Sequence, residues 1–258
     1  ATTREENYFG KYQSTEPSAD RHNNEVIPSD DPALRIYTSQ EVASGLTAAW
    51  VRENTRGEIF GAMKRKEVYA TTGTRIRVRL FAGWDFDANE VSSPDFIAQG
   101  YSRGVPMGGD LSKAPDGKAP SFMIRALRDP DGANLDRIQV IKGWVDSEGK
   151  THERIYDVAV SDGRKIGKNG RAKTPVGNTV DIEKATFTNT IGSAVLSAHW
   201  VDPDFDAAEH AFYYVRVLEI PTPRWTTYDA AFFKIKRPDT VPATLQDRAY
   251  TSPVWYTP

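Results

Sequence analysis

The chain has 258 residues, 39% of them hydrophobic and 11% aromatic, enough for one large core or two small ones. A formal charge of −2 and a pI of about 6.2 create no global field that would draw nucleic acid or an anionic membrane. The absence of cysteine excludes disulfides, thiolate catalysis and Cys-based zinc or iron–sulfur sites, and no apolar run reaches the roughly 20 residues that span a bilayer.

Residues 1–39 are polar, punctuated by Pro17, Pro28 and Pro32, and carry no apolar stretch of signal-peptide type. They predict an extended, irregular segment with one short turn of helix. Residues 45–51 ("GLTAAWV") predict a short buried strand. Thr55 and Glu58 follow at capping-box spacing. Ile59, Phe60 and Met63 then share a helical face, with Lys64, Arg65 and Lys66 in the last turn where the dipole favours cations. Gly57 and Gly61 each weaken such a helix by roughly 1 kcal/mol, so it should lean on a sheet. Strand, capped helix and the strand at "EVYATTG" read as a parallel β-α-β unit. That reading puts Glu53 and Asn54 just past the C-terminal end of a strand, where α/β folds collect their sites. Arg56 falls in the first helical turn, a cation set against the dipole and therefore a candidate for another task.

After Gly73 the period becomes 2. Ile76, Val78 and Leu80 alternate with Arg75, Arg77 and Arg79, a half-buried strand whose arginine face either pairs with carboxylates or meets an anion. Further strands are predicted at "SFMIRALR", "DRIQVIKGWV", "HERIYDVAV", "VDIEKATFT", "AVLSAHWV" and "AFYYVRVLEI". "DSEGKT" reads as a hairpin turn with Gly149 at positive φ. "GRKIGKNGRAKTPVGN" reads as a long polar loop, "TYDAAFFKI" as helix or strand, and "YTSPVWYTP" as an extended surface cover. The expected fold is mostly β with a minor α/β part: an α/β piece over residues 1–83, then an antiparallel β-sandwich-like domain over 84–258.

Chemistry is sparsely signalled. His22, His152, His199 and His210 form no H-x-H or H-E-x-x-H pattern, and there is no G-x-S-x-G, G-x-x-x-x-G-K-[ST] or G-x-G-x-x-G. The cations from Arg164 to Lys173 would suit a phosphate but lack aromatic interleaving for bases. Asp202, Asp204 and Asp206 have the 1-3-5 spacing of a calcium loop, but Ala207 and Tyr213 stand where glycine and glutamate are needed.

The segments "EENYFGK", "EPSADR", "ENTRGEIFGAMKRKEVYATTGTRIRVRLFAGWDF", "FYYVRVLEIPTPRW" and "LQDRAYTSPVWYTP" together resemble the DUF3604 family, bacterial proteins of uncharacterised function. The N-terminal part of that family is similar to PHP-type metal-dependent phosphoesterases. The resemblance implies that residues 1–83 are the remnant of a PHP-like (β/α) region and that 84–258 are the family's C-terminal domain. It also implies a longer protein, a metal-dependent hydrolase of phosphate esters, holding two or three divalent ions (Zn, Mn or Fe) through His-x-His and Asp-x-His motifs. The His-x-His motif is not in this sequence, and this chain is expected to bind no metal and to be inactive alone. Its expected contribution is substrate or supporting contacts from Glu53, Asn54, Arg56, Tyr69 and Thr72. The expected partners are the N-terminal part of the same protein and a second copy of the chain, with no nucleic acid and no membrane insertion. The resemblance favours a periplasmic or secreted location and leaves the cytoplasm open. The alternative is a binding or structural module, in which Trp144, Trp200, Tyr213, Tyr214 and Trp225 would hold a carbohydrate or a protein partner.

Overall fold

The computed structural model describes residues 17–42 and 45–258; the segment "EENYFGK" lies outside them. A 3-10 turn at Arg21–Asn23 leads into a small hairpin of β1 (Glu25–Ile27) and β2 (Ile36–Tyr37). β3 (Leu46–Ala49), α1 (Arg56–Lys64), β4 (Val68–Thr71) and β5 (Arg77–Gly83) follow. α2 (Phe96–Arg103), β6 (Gly104–Pro106) and β7 (Asp110–Ser112) come next, then β8 (Ser121–Leu127), β9 (Leu135–Val145), β10 (Thr151–Val160), β11 (Val195–Val201) and β12 (His210–Glu219). β13 (Thr222–Pro223), α3 (Trp225–Phe233), β14 (Thr244–Leu245), β15 (Arg248–Thr251) and β16 (Val254–Thr257) complete the order. No described helix is long and apolar enough to cross a membrane.

Two sheets carry the fold. The larger runs β10-β9-β12-β15-β4-β3, with β16 also on β12 and β7 parallel to β16. The smaller runs β11-β8-β5-β6 and is antiparallel throughout. Alternation puts Val78, Leu80, Phe122 and Ile124 of the small sheet against Ile138, Val140, Tyr213 and Val215 of the large one, all at or below 1% exposure. This is the β-sandwich that the strand spacing predicts. Beyond Arg79 the alternation of β5 fails because its second face is covered as well. Phe81 and Met123 pack on Phe96 of α2 in a smaller core, and a Cβ on Gly100 would stand 2.4 Å from the Phe81 ring.

Several expectations need correcting. β3 and β4 pair antiparallel, Leu46 opposite Thr71 and Ala49 opposite Val68, so there is no β-α-β unit. α1 is a helical connection between two neighbouring strands and does not cross over a sheet. Thr55 caps it, accepting the Glu58 amide at 3.3 Å. However, only Ala62 is buried, while Phe60 and Met63 are 66% and 53% exposed. β3 is half-exposed at the sheet edge, not buried. β4 pairs with β15 and β5 with β8, so strands on both sides of residue 83 share sheets. No described sheet closes into a barrel.

"VDIEKATFT" is not a strand; it turns back through a single bridge between Asp181 and Thr186, with Ala185 at φ +50°. "TYDAAFFKI" resolves as α3, which ends on Lys234 in the left-handed region. The tail is two strands of the large sheet, with Tyr256 2% exposed. The glycine-rich loop is pinned, since the Arg164 side chain is 7% exposed and donates to both the side chain and the carbonyl of Asp136. The β9–β10 hairpin forms as expected, with Gly149 at φ +80° and Asp146 accepting the Glu148 and Lys150 amides at 2.9 Å.

Candidate functional site

Where β3 ends, Trp50 leaves the sheet and donates its indole N–H to the Val78 carbonyl at 3.0 Å. That bond lays the indole beside β5, under the outward side chain of Arg79. The Arg79 guanidinium carbon lies 3.7 Å from the indole centroid, a contact of about 0.5–2 kcal/mol. Glu67 stands just before β4 and is 3% exposed. It accepts from Arg79 at 3.1 Å and from Arg65 at 3.5 Å. Tyr101, on the α2 face opposite, donates its phenol to Glu67 and accepts from Arg79 at 3.0 Å. Burial first, and then that bond to the Glu67 carboxylate, push the Tyr101 phenol above its ordinary pKa.

Trp50, Glu67 and Arg79 form one wall of a cleft of about 650 Å³ and Tyr101 and Ile97 of α2 the wall opposite, with Arg52, Glu58 and Arg65 on the remaining sides. Three arginines (Arg52, Arg65, Arg79) face two glutamates (Glu58, Glu67). Arg79 is fixed from below by an aromatic face and from the side by a carboxylate. Arg65 and Arg52 remain exposed at the mouth. A positioned guanidinium with two freer ones beside it matches a small anion that carries an apolar group.

The sequence-predicted residues gather here only in part. Glu53, Asn54 and Arg56 are exposed between Arg52 and α1, near the mouth. Their side chains make no hydrogen bond or ion pair with the described residues. Tyr69 is 7% exposed in the sandwich core, its ring 6.2 Å from that of Trp50, and burial raises its phenol pKa. Thr72 lies past the far end of β4, where it donates to Asp247 at 2.7 Å and accepts the Arg248 amide at 3.0 Å. Of the alternating arginines, Arg79 is the one that enters the cleft; Arg75 and Arg77 are exposed.

The other candidates are structural. His22 is buried between Asp229, at 3.2 Å, and the edge of Trp225. His199 bonds the Phe86 carbonyl at 2.9 Å, and His152 bonds Asp146 at 2.7 Å while stacking on Trp144. Asp202 and Asp206 cap their own turn, accepting the Asp204 and Ala208 amides. Among the described residues no three His, Asp or Glu side chains are grouped to hold a metal. Of the aromatic set, Tyr213 and Trp225 are core residues at 0% and 3% exposure. Trp200 packs on Phe122 and Tyr156, and Tyr214 alone stands on the outer face of the large sheet.

Fold and cleft together define a two-sheet antiparallel β protein with a cationic, aromatic-walled cleft at one sheet edge. The sequence model of the DUF3604 family, described as a protein of unknown function, matches residues 1–258, and the chain belongs to that family. No curated protein and no solved structure matches it.

Proposed function

We propose that this chain is the substrate-contacting, non-catalytic portion of a metal-dependent hydrolase of phosphate esters. The divalent ions (Zn, Mn or Fe) and the activated water belong to a PHP-like part of the same protein. The observation that carries the reading is the Arg79 guanidinium held between Trp50 and Glu67 inside a cleft with two further arginines. The family resemblance supplies the reaction class, and the cleft supplies cations for an anion and aromatic side chains for an apolar group.

Titration with phenyl phosphate tests the reading. Binding is expected in the millimolar range, weakening as salt screens the arginines. The Arg52→Ala, Arg65→Ala double variant should lose it. No response at low ionic strength would remove the proposal. The chain supplied with divalent metal is expected not to turn over bis-p-nitrophenyl phosphate; turnover would show that it carries a catalytic centre of its own.

A second reading, a module for association, is favoured by α1, which turns Phe60 and Met63 to solvent on one face. Sedimentation of the Phe60→Ser, Met63→Ser variant separates the two. A loss of association relative to the parent supports this reading, and identical monomers count against it.

A further inference from the structure

The outer face of the large sheet carries a second recognition surface, remote in sequence from the cleft at Trp50. Along β12, Phe212 and Tyr214 point away from the sandwich core, and their ring planes lie within 14° of each other. Trp255 of β16 sits opposite Phe212 with its ring 5.3 Å away, and Tyr250 of β15 continues the row 6.5 Å beyond Tyr214. Gly143 of β9 pairs with Phe212 on the other side. A Cβ on Gly143 would fall 2.4 Å from the tip of the Phe212 ring. The absent side chain therefore lets that ring lie down across the neighbouring strand, so that one face rests on backbone and the other turns outward. Trp255 is 44% exposed beside it. The result is a groove of about 480 Å³ lined on this face by the rings of Phe212 and Trp255, whose planes are inclined at 50° to each other.

Besides Val145 and His152, which stays bonded to Asp146, four exposed polar side chains stand around these rings: Thr151, Glu153, His210 and Thr257. Their side chains make no hydrogen bond or ion pair with any described residue except that Glu153 lies close enough to Tyr214 to help raise its pKa. No lysine or arginine lines the groove.

We infer that this groove binds a neutral saccharide, one or a few rings laid on Phe212 and Trp255 with hydroxyls bonded to Glu153, His210 and the two threonines. A sugar ring has an apolar face of C–H groups, whose positive edges suit the negative face of an aromatic ring. It also has a perimeter of hydroxyls that needs donors and acceptors such as those on the rim. The volume is that of a small-ligand site. The lining argues against an anion, because a carboxylate is present and no fixed cation is.

The test is affinity electrophoresis of the full chain through gels cast with neutral glucans, mannan or xylan, followed by calorimetry with the matching oligosaccharide. At least one of these polymers is expected to retard the chain, and Trp255→Ala should weaken binding roughly tenfold or more at unchanged melting temperature. Glu153→Gln, on the exposed rim, serves as an independent variant and should weaken binding severalfold. No retardation by any of the polymers, binding unchanged in both variants, or displacement of the sugar by tetramethylammonium would each overturn the assignment.

Discussion

Two clusters in this molecule use the same chemistry at different depths. Between the sheets, Lys142 pairs with Asp202 at 2.7 Å, both at or below 2% exposure. Tyr213 donates to the same carboxylate at 2.7 Å, and Trp144 lies 5.1 Å from the ammonium. At the sheet edge, Arg79 pairs with Glu67, Tyr101 donates to it and Trp50 carries the guanidinium. Cation, carboxylate, phenol and indole recur in both. In the first, Lys142 also donates to the Asp204 carbonyl at 2.7 Å, so its ammonium is enclosed by protein acceptors. In the second, the Arg79 side chain keeps 17% of its surface and opens on a cleft with Arg52 and Arg65. The comparison teaches that what makes a polar cluster available for binding is the depth at which the sheet edge leaves it, since the residue types are shared.

The largest expected effect breaks the sealed cluster. Lys142→Ala leaves Asp202 charged and unpaired between the sheets, and denaturant unfolding should show a loss of about 3–5 kcal/mol. Lys142→Met combined with Asp202→Leu should recover most of it. If the double variant is as unstable as the single, the pair contributes something beyond mutual neutralisation. The same operation on the open cluster should cost less: Glu67→Gln is expected to lose about 1–3 kcal/mol, because Arg79 can turn towards water. Phosphate affinity should rise as well, since a countercharge has gone. Equal losses in the two clusters would erase the distinction.

Gly100→Ala sharpens the comparison from the far wall. Its Cβ would press on the Phe81 ring and displace α2 together with Tyr101, at about 1–3 kcal/mol. The sealed cluster should be untouched, with the Lys142 ammonium resonance in NMR unmoved.

The smallest expected effect is on pH dependence. Tyr69, Tyr101, Tyr156, Tyr213 and Tyr214 all have phenol pKa values raised, in each case chiefly by burial. The unfolded chain therefore releases these protons first. The stability they contribute is fully present below the ordinary phenol pKa near 10 and declines as pH rises through the folded values. Absorbance at alkaline pH should show these tyrosines ionising late and together with unfolding. Early, independent ionisation of Tyr213 would mean that its cluster is not sealed.

Much of the sandwich was legible in the sequence because its signals are local. β12 alternates over most of its length and β5 as far as Leu80, and Gly149 marks its turn within a six-residue stretch. Sheet order was not legible, since it depends on which distant strands find each other. Nothing inside "YTSPVWYTP" says that it pairs with β12 and β4, and nothing in residues 45–73 says that the two strands run antiparallel. That second point also governed the site. The expectation at Glu53, Asn54 and Arg56 rests on a parallel strand end, and without it they are a loop and a first turn beside the cleft. Trp50, Glu67, Arg79 and Tyr101 come from four separate segments and share no motif; of these, Arg79 alone carries a local signal, as one of three alternating cations.

β15 and β16 both pair with the same edge of β12, and β15 is the link that joins β4 and β3 to the rest of the large sheet. Strands made early in translation thus reach their sheet only after residues 248–257 have left the ribosome. During synthesis β12 would offer an unpaired, aromatic-rich edge to any neighbouring nascent chain, and a holding chaperone should find its main foothold there.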